Sequence, residues 1–175
     1  MNDDTETTIT LTSKPQEDGT TRSFQIPYAA AQISGTIMDA VGGDDDSDDD
    51  DGGEREETVV PLEQIDAACL EKIVKFLIHF KDEKMREIPA TSFGGLAPQP
   101  FDRIVTQEWY RNFVDDTNMQ PDPDQMLFYL VRAANYLSIQ PLLDLVTLKA
   151  YFILQKKKNY REIIEFLHLP DDEES

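Results

Sequence analysis

Apolar and polar residues alternate in two short stretches near the start of the chain, with the period of half-buried β-strands. These stretches lie at residues 7–13 and 22–26, and the turn residues Pro, Asp and Gly separate them. They predict a β-hairpin with a loop longer than two residues. A short apolar stretch at 58–62 predicts a third strand, and Pro61 favours a sheet edge because proline cannot donate a ladder hydrogen bond.

Most of the remaining periodic sequence has helical spacing, with apolar residues recurring every three or four positions. The predicted helices cover 29–32, 35–41, 67–80, 107–113, 123–137, 141–154 and 160–169. Residues suited to N-caps precede four of them: Ser34, Asp66, Asp122 and Asn159. Residues 84–104 and 114–121 have no period and are predicted as loops. The order of elements predicts an α+β fold, with a small sheet packed against a helical cluster.

Negative charge is concentrated in one segment, and it argues against nucleic acids and anionic membranes as partners. The net charge is −19, and Asp44–Glu57 contains ten acidic residues and one arginine. Such a segment cannot bury apolar area, so residues 43–57 are predicted to form a disordered loop. A chain this acidic repels phosphate backbones and anionic lipid surfaces, so we expect it to bind neither nucleic acid nor membranes.

Several further patterns exclude other classes of protein. No apolar run reaches the length of a membrane span, and the polar N-terminus is unlike a signal peptide. Cys69 is the only cysteine and lies in a helical pattern, so we expect a buried thiol in a protein of the reducing cytoplasm or nucleus.

Motifs for catalysis, cofactors and metals are missing from the sequence. It has no Gly-rich phosphate loop, no nucleophile elbow and no Cys/His cluster at metal spacing. The two histidines, His79 and His168, are far apart in helical patterns. An EF-hand register through Gly52 would put Ser47 and Thr58 where aspartate and glutamate are required. The sequence therefore predicts a protein without enzymatic activity, cofactor or metal.

The helix predicted at 141–154 is apolar on two sides. One stripe consists of Leu142, Leu145, Val146 and Ile153. A second stripe consists of Leu143, Thr147, Ala150 and Leu154. A helix that is apolar all round must be covered on both sides. The second cover is either a partner protein or the last predicted helix, "YREIIEFLHL", folded back onto it.

The segment "AANYLSIQPLLD" (133–144) closely resembles the signature of the S-phase kinase-associated protein 1 family, which reads AANYLDI-x-x-LLD. The resemblance extends over roughly residues 7–169, because the hairpin, "TIMDAVGG", the acidic loop, "VVPLEQIDAACLEKIVKFLIHFKDE", "TQEWYRNF" and the last helix follow in the family's order. The family members are adaptors of SCF-type cullin–RING ubiquitin ligases. They have a BTB/POZ-type fold with extra C-terminal helices and are not catalytic.

The resemblance implies two partners and a surface for each. Asn135 and Tyr136 match the family's pair at the contact with the N-terminal domain of a cullin. The side that clasps the F-box of a substrate receptor corresponds to Leu127, Phe128, Leu143, Thr147, Ala150, Leu154, Ile163, Ile164 and Phe166. It also implies a BTB-like domain at 7–137 and F-box-binding helices at 138–169, with polar tails at 1–6 and 170–175.

The chain departs from the family at two places. The family continues into a further helix with a tryptophan that grips the F-box, whereas this sequence stops at "PDDEES" and has its only tryptophan at Trp109. The family's Thr-Pro before the preceding helix is Asn159-Tyr160 here. The resemblance is therefore to a divergent member that lacks the last C-terminal helix, and weaker F-box binding is expected.

Three other interpretations are open, and the first of them keeps the fold and changes the partner. An elongin-C-like adaptor generally ends after the "AAN" helix, whereas this chain has two more predicted helices. A structural BTB subunit of a kinetochore or of a vacuolar-ATPase regulator would bind an F-box protein without a cullin. A histone-chaperone-like role would depend on the acidic run. The unpartnered chain is also expected to be able to form a homodimer, which would cover its second apolar stripe.

Overall fold

The computed structural model describes residues 7–42, 58–89, 99–119 and 122–167. The predicted tails and the predicted acidic loop lie outside the described residues, so these predictions stay untested.

The chain divides into two compact units. Unit 1 consists of Met1–Lys84 with Tyr136–Ile139, and unit 2 of Met85–Asn135 with Gln140–Ser175. These units are defined by contacts within the chain. The boundary predicted between residues 137 and 138 separates two partner-binding regions instead, and it stays a prediction.

Unit 1 contains a three-stranded sheet in the order β2-β1-β3. The central strand β1 (Thr8–Thr12) pairs antiparallel with β2 (Ser23–Pro27) and parallel with β3 (Thr58–Pro61). The predicted hairpin is therefore confirmed, and β3 lies at an edge as Pro61 indicated. Ile9 and Leu11 of the central strand are buried in the core, and Thr10 between them is buried as well. Neighbouring side chains of a strand lie on opposite faces, so the half-buried pattern predicted for this strand is wrong at Thr10.

Two short helices follow the hairpin, α1 (Tyr28–Ala31) and α2 (Gly35–Gly42). The predicted cap of α2 is confirmed, because the backbone N–H of Ile37 donates to Ser34 Oγ at 3.2 Å. Ser34 is itself fully buried, so its hydroxyl replaces the water that would otherwise satisfy this first-turn amide.

The long helix of unit 1 is α3 (Ala67–Asp82), which packs against α1 and β2. Its buried face contains the predicted apolar stripe: Leu70, Ile73, Val74 and Leu77. Asp66 occupies the predicted N-cap position, but its side chain makes no capping hydrogen bond. The predicted start of the helix was therefore right and the predicted capping contact was wrong.

Unit 2 is helical in its described part. Its helices are α4 (Phe101–Ile104), α5 (Glu108–Phe113), α6 (Pro123–Tyr136), α7 (Gln140–Lys156) and α8 (Tyr160–Leu167), with a 3-10 turn at Asp116–Asn118. The last residue of α6 belongs to unit 1. Together with the sheet, these helices confirm the α+β class.

Helix α4 lies within residues 84–104, where a loop was predicted, so that prediction is wrong for this part. The helix is only four residues long, too short for an apolar period to be visible in the sequence. Contacts with α7 hold it in place instead. The ring of Phe101 packs edge-on against Phe152, with the centroids 5.7 Å apart, and Lys149 Nζ lies 5.8 Å from the Phe101 centroid. The loop prediction for 114–121 is likewise wrong at Asp116–Asn118, which form a 3-10 turn.

The caps predicted for α6 and α8 are confirmed. The N–H of Gln125 donates to Asp122 Oδ1 at 3.1 Å, and the N–H of Glu162 donates to Asn159 Oδ1 at 3.0 Å. The break predicted between α6 and α7 is also present. Ser138 has a φ of 54°, a left-handed conformation that commonly ends a helix.

Candidate protein-interaction surfaces

The two residues predicted to contact a cullin both have exposed side chains at the C-terminal end of α6. Tyr136 is 41% exposed, which makes it one of four exposed large apolar side chains among the described residues. The side chain of Asn135 makes no hydrogen bond within the described part of the chain. Each side chain is therefore open to a partner.

Hydroxyl groups at the start of α2 fix the backbone of Tyr136 and of the residue that follows it. Thr36 Oγ1 donates to the carbonyl of Tyr136 at 2.8 Å, and Ser34 Oγ donates to the carbonyl of Leu137 at 2.5 Å. The last carbonyls of a helix have no partner within the helix. These two hydroxyls supply one for each, so the Tyr136 side chain is carried on a well-ordered backbone.

The two stripes of α7 differ in their exposure. Of the first stripe, Leu142, Leu145 and Val146 are buried and Ile153 is half-buried, whereas the second stripe is less covered. Thr147 is exposed, and Leu143, Ala150 and Leu154 are half-buried. The first stripe thus faces the core, and the second borders the solvent-facing side of the helix.

The remaining predicted F-box contacts divide into two groups. Phe128 on α6 and Ile163 on α8 are half-buried. Leu127, Ile164 and Phe166 are at most 9% exposed. A partner could touch these last three only if neighbouring parts of the chain moved, so six of the nine predicted residues are accessible as the chain stands.

A group of basic residues between α7 and α8 forms a further surface, which is not among the contacts predicted from the sequence. Lys156, Lys157, Lys158 and Arg161 lie within six residues at the junction of α7 and α8. Tyr160, 66% exposed, lies among them. Cations at the C-terminus of a helix complement its dipole, which is the ordinary explanation for lysines at the end of α7. A comparison of this local charge with the net charge of the whole chain would have revealed the cluster.

Two titratable groups on α3 have shifted pKa values. Burial raises the pKa of the Cys69 thiol from 9.0 to about 12, with Asp66 contributing, so the sulfur stays protonated and unreactive at neutral pH. Burial also lowers the pKa of Lys72 from 10.5 to about 8, with the nearby Lys75 adding repulsion. The predicted burial of Cys69 is confirmed.

The described residues contain few features suited to a small ligand. No group of three or more His, Cys, Asp or Glu side chains able to hold a metal ion occurs in 7–42, 58–89, 99–119 and 122–167. His79 lies near the end of α3 with its Nε2 2.6 Å from Glu83 Oε2, and His168 is outside the described residues. None of the helices described is both long and apolar enough to cross a bilayer.

No family model matches the chain, and no curated protein is significantly similar to it.

Proposed function

We propose that this chain is a non-catalytic adaptor that links the N-terminal domain of a cullin to F-box substrate receptors. It would act in the cytoplasm and nucleus as part of an SCF-type ubiquitin ligase. The proposal includes a BTB/POZ-type fold as the finer form of the α+β architecture. It rests on the resemblance of residues 133–144 to the family signature.

The observation that supports the cullin contact best is the combination of exposure and order at Tyr136. An exposed tyrosine on a fixed backbone offers a large contact area at low entropic cost. Residues of this type commonly dominate the binding energy of an interface. The neighbouring Asn135 adds an exposed amide that is free to donate and accept hydrogen bonds.

The F-box contact is supported by the second stripe of α7. Three half-buried apolar residues surround the exposed Thr147, so the stripe can add buried area when a partner covers it. A receptor that used Leu127, Ile164 and Phe166 as well would have to rearrange unit 2. The burial of these three favours the alternative of an elongin-C-like adaptor, which would bind a different partner through the same fold.

Copurification of the full chain with a cullin N-terminal domain and a panel of F-box proteins tests both contacts. The double change Asn135→Lys and Tyr136→Lys should weaken cullin binding at least tenfold, because central interface residues often contribute 2 kcal/mol or more. F-box binding should persist. Thr147→Lys should have the opposite effect, because it places a charge in the middle of the apolar stripe.

Gln155→Lys is the matched control, because it adds the same charge at an exposed position of α7 outside the stripe. It should bind both partners like the wild type. If the folded wild-type chain binds neither partner, the adaptor function is wrong. If it binds an F-box protein but no cullin, the structural-subunit alternative replaces it.

A further inference from the structure

A concentration of positive charge stands out in this acidic chain. Lys156, Lys157, Lys158 and Arg161, named here the basic cluster, carry a charge of +4 within six residues. The net charge of the chain is −19, so the remainder carries −23. Like charges at this spacing repel one another, so the basic cluster lowers the stability of the chain unless a partner neutralises it.

Hydrogen bonds fix the backbone that carries the basic cluster. The N–H of Lys157 donates to the carbonyl of Leu154 at 3.1 Å, and the N–H of Lys158 donates to Glu162 Oε2 at 2.9 Å. Asn159 Nδ2 donates to the other oxygen of that carboxylate, Glu162 Oε1, at 3.4 Å. The cations are therefore held together by the fold, which lowers the entropic cost of binding a ligand.

The cations of the cluster have different local partners. Lys157 Nζ lies 5.4 Å from the ring centroid of Phe166, and its side chain is half-buried. Lys156 and Lys158 are exposed, and no carboxylate in the described part of the chain lies within ion-pair distance of either. Glu162 is the nearest acid in sequence, but its carboxylate accepts hydrogen bonds from the backbone N–H of Lys158 and from the side-chain amide of Asn159. Two ammonium groups are thus available to a partner.

The dipole of α7 explains only part of this arrangement. A cation in the last turn complements the partial negative charge of the helix end, and Lys156 satisfies that condition. Lys158 and Arg161 lie beyond the end of α7 at Lys156, and both extend the positive surface toward the first turn of α8. That position is unfavourable for cations because the N-terminus of a helix is itself positive.

We propose that Lys156, Lys158 and Tyr160 form a docking surface for a short acidic segment of a partner protein. The ammonium groups would pair with carboxylates, and the exposed tyrosine ring would pack against the segment's apolar atoms. This surface lies outside the residues assigned to the cullin and the F-box, and the proposal does not depend on the adaptor function.

Charge favours a short peptide over a nucleic acid or an anionic membrane. A long polyanion would have to pass the rest of the chain, which carries −23, and would be repelled. Charges are screened beyond roughly 8 Å at physiological ionic strength. A short segment that reaches only the basic cluster therefore gains the local attraction and avoids most of the repulsion.

Fluorescence anisotropy with the full chain and a short labelled peptide of aspartate and glutamate residues tests the proposal. The peptide should bind, and a peptide of equal length made of asparagine and glutamine should not. Raising the salt concentration should weaken binding. The double change Lys156→Glu and Lys158→Glu should weaken it roughly tenfold, since two exposed ion pairs are lost and the reversed charges repel the peptide.

Lys14→Glu with Lys75→Glu is the matched control, because it reverses the charge of two exposed lysines in unit 1. It changes the net charge equally and should change peptide affinity by less than twofold. Tyr160→Ala should weaken binding severalfold without changing its salt dependence.

Three outcomes would overturn the proposal. Equal loss of affinity in both double variants would mean that the peptide responds to net charge alone. Tighter binding of a single-stranded oligonucleotide or of anionic vesicles than of the peptide would assign the surface to another class of ligand. The chain could also associate with itself in a salt-dependent way. If only the double change Lys156→Glu and Lys158→Glu abolishes that association, the docking surface binds a second copy of the chain.

Discussion

Ser34 connects two parts of unit 1 through a single hydroxyl group. The hydroxyl donates to the carbonyl of Leu137 and accepts from the N–H of Ile37, and it is fully buried. Removing it leaves the buried N–H of Ile37 without this acceptor, and the Leu137 carbonyl keeps only the donor N–H of Thr36 at 3.4 Å. The loss of a buried hydrogen bond costs more than the loss of an exposed one. The residue was predictable as a helix cap, whereas its contact with a carbonyl 103 positions away had no signal in the local sequence.

We expect Ser34→Ala to lower the free energy of unfolding by about 1–3 kcal/mol, because it removes a helix cap and leaves the buried N–H of Ile37 without its acceptor. Urea denaturation followed by circular dichroism measures this change. Ser23→Ala, at an exposed position of β2, should change stability by no more than about 0.5 kcal/mol. Equal effects of the two changes would contradict the role given to Ser34.

Cys69 makes the stability of unit 1 depend on alkaline pH. Its folded pKa of about 12 lies above the ordinary value of 9.0, so the unfolded thiol loses its proton first. Its contribution to stability is complete below pH 9 and is lost as the pH rises toward 12. Lys72, with a lowered pKa of about 8, has the opposite effect, because its contribution grows between about pH 8 and 10.5.

Comparison with Cys69→Ala separates these two effects. We expect the unfolding free energy of the wild type to fall relative to this variant as the pH rises above 9. Thermal unfolding of both proteins at several alkaline pH values measures the difference. A constant difference across that range would show that the thiol ionises equally in the folded and unfolded chain. In the native protein at neutral pH, Cys69 should not react with a thiol reagent.

At the scale of elements, α8 depends on its N-terminal cap. The helix has only eight residues, which is too short for stability in isolation. Asn159 and Glu162 satisfy amides of the first turn and of the preceding Lys158. The packing of Ile164 and Phe166 supplies the rest of its stability.

We expect Asn159→Ala to lower the local stability of α8 by about 1 kcal/mol. Hydrogen exchange of the α8 amides should therefore become roughly fivefold faster, while exchange in α3 should not change. Glu165→Ala replaces an exposed residue of the same helix and should leave exchange unchanged or slow it slightly, since alanine favours helix. If both variants behave alike, the cap contributes nothing measurable.

Elements with a period or a polar cap were predictable from the sequence. The strands, the long helix α3 and the starts of α2, α6 and α8 follow from patterns that span one or two turns. Helix α4 has no such pattern, because the contact between Phe101 and Phe152 stabilises it. Of the candidate site, the sequence predicted the second stripe of α7. It could not predict that Leu127, Ile164 and Phe166 would be buried, because periodicity defines an apolar face and not what covers it.

At the scale of the whole molecule, the many acidic side chains repel one another and lower the stability of the folded chain. The net charge is −19, and the run Asp44–Glu57 accounts for −9 of it. We expect replacement of this run by Gly and Ser residues, at constant length, to raise the unfolding free energy at low ionic strength. The reason is that fewer like charges are then brought together on folding.

Unfolding of both proteins at low and physiological salt checks this prediction. Added salt should stabilise the wild type more than the variant, because it screens the repulsion. Cullin and F-box binding should be equal in the two proteins if the adaptor proposal is right. If the unfolding free energy of both proteins depends on salt equally, the run lies too far from other charges to affect folding. If the variant loses cullin or F-box binding, the run has a role in recognition.

The strand order β2-β1-β3 also affects how fast the sheet assembles. The hairpin closes a loop of about ten residues, whereas about 45 residues separate β1 from β3. Closing the longer loop costs roughly 1 kcal/mol more in chain entropy, so we expect the hairpin to form before the parallel edge. Val60→Ala should then raise the unfolding rate and leave the folding rate nearly constant in stopped-flow experiments. Strand β3 would be the last part of the sheet to form and the first to unfold.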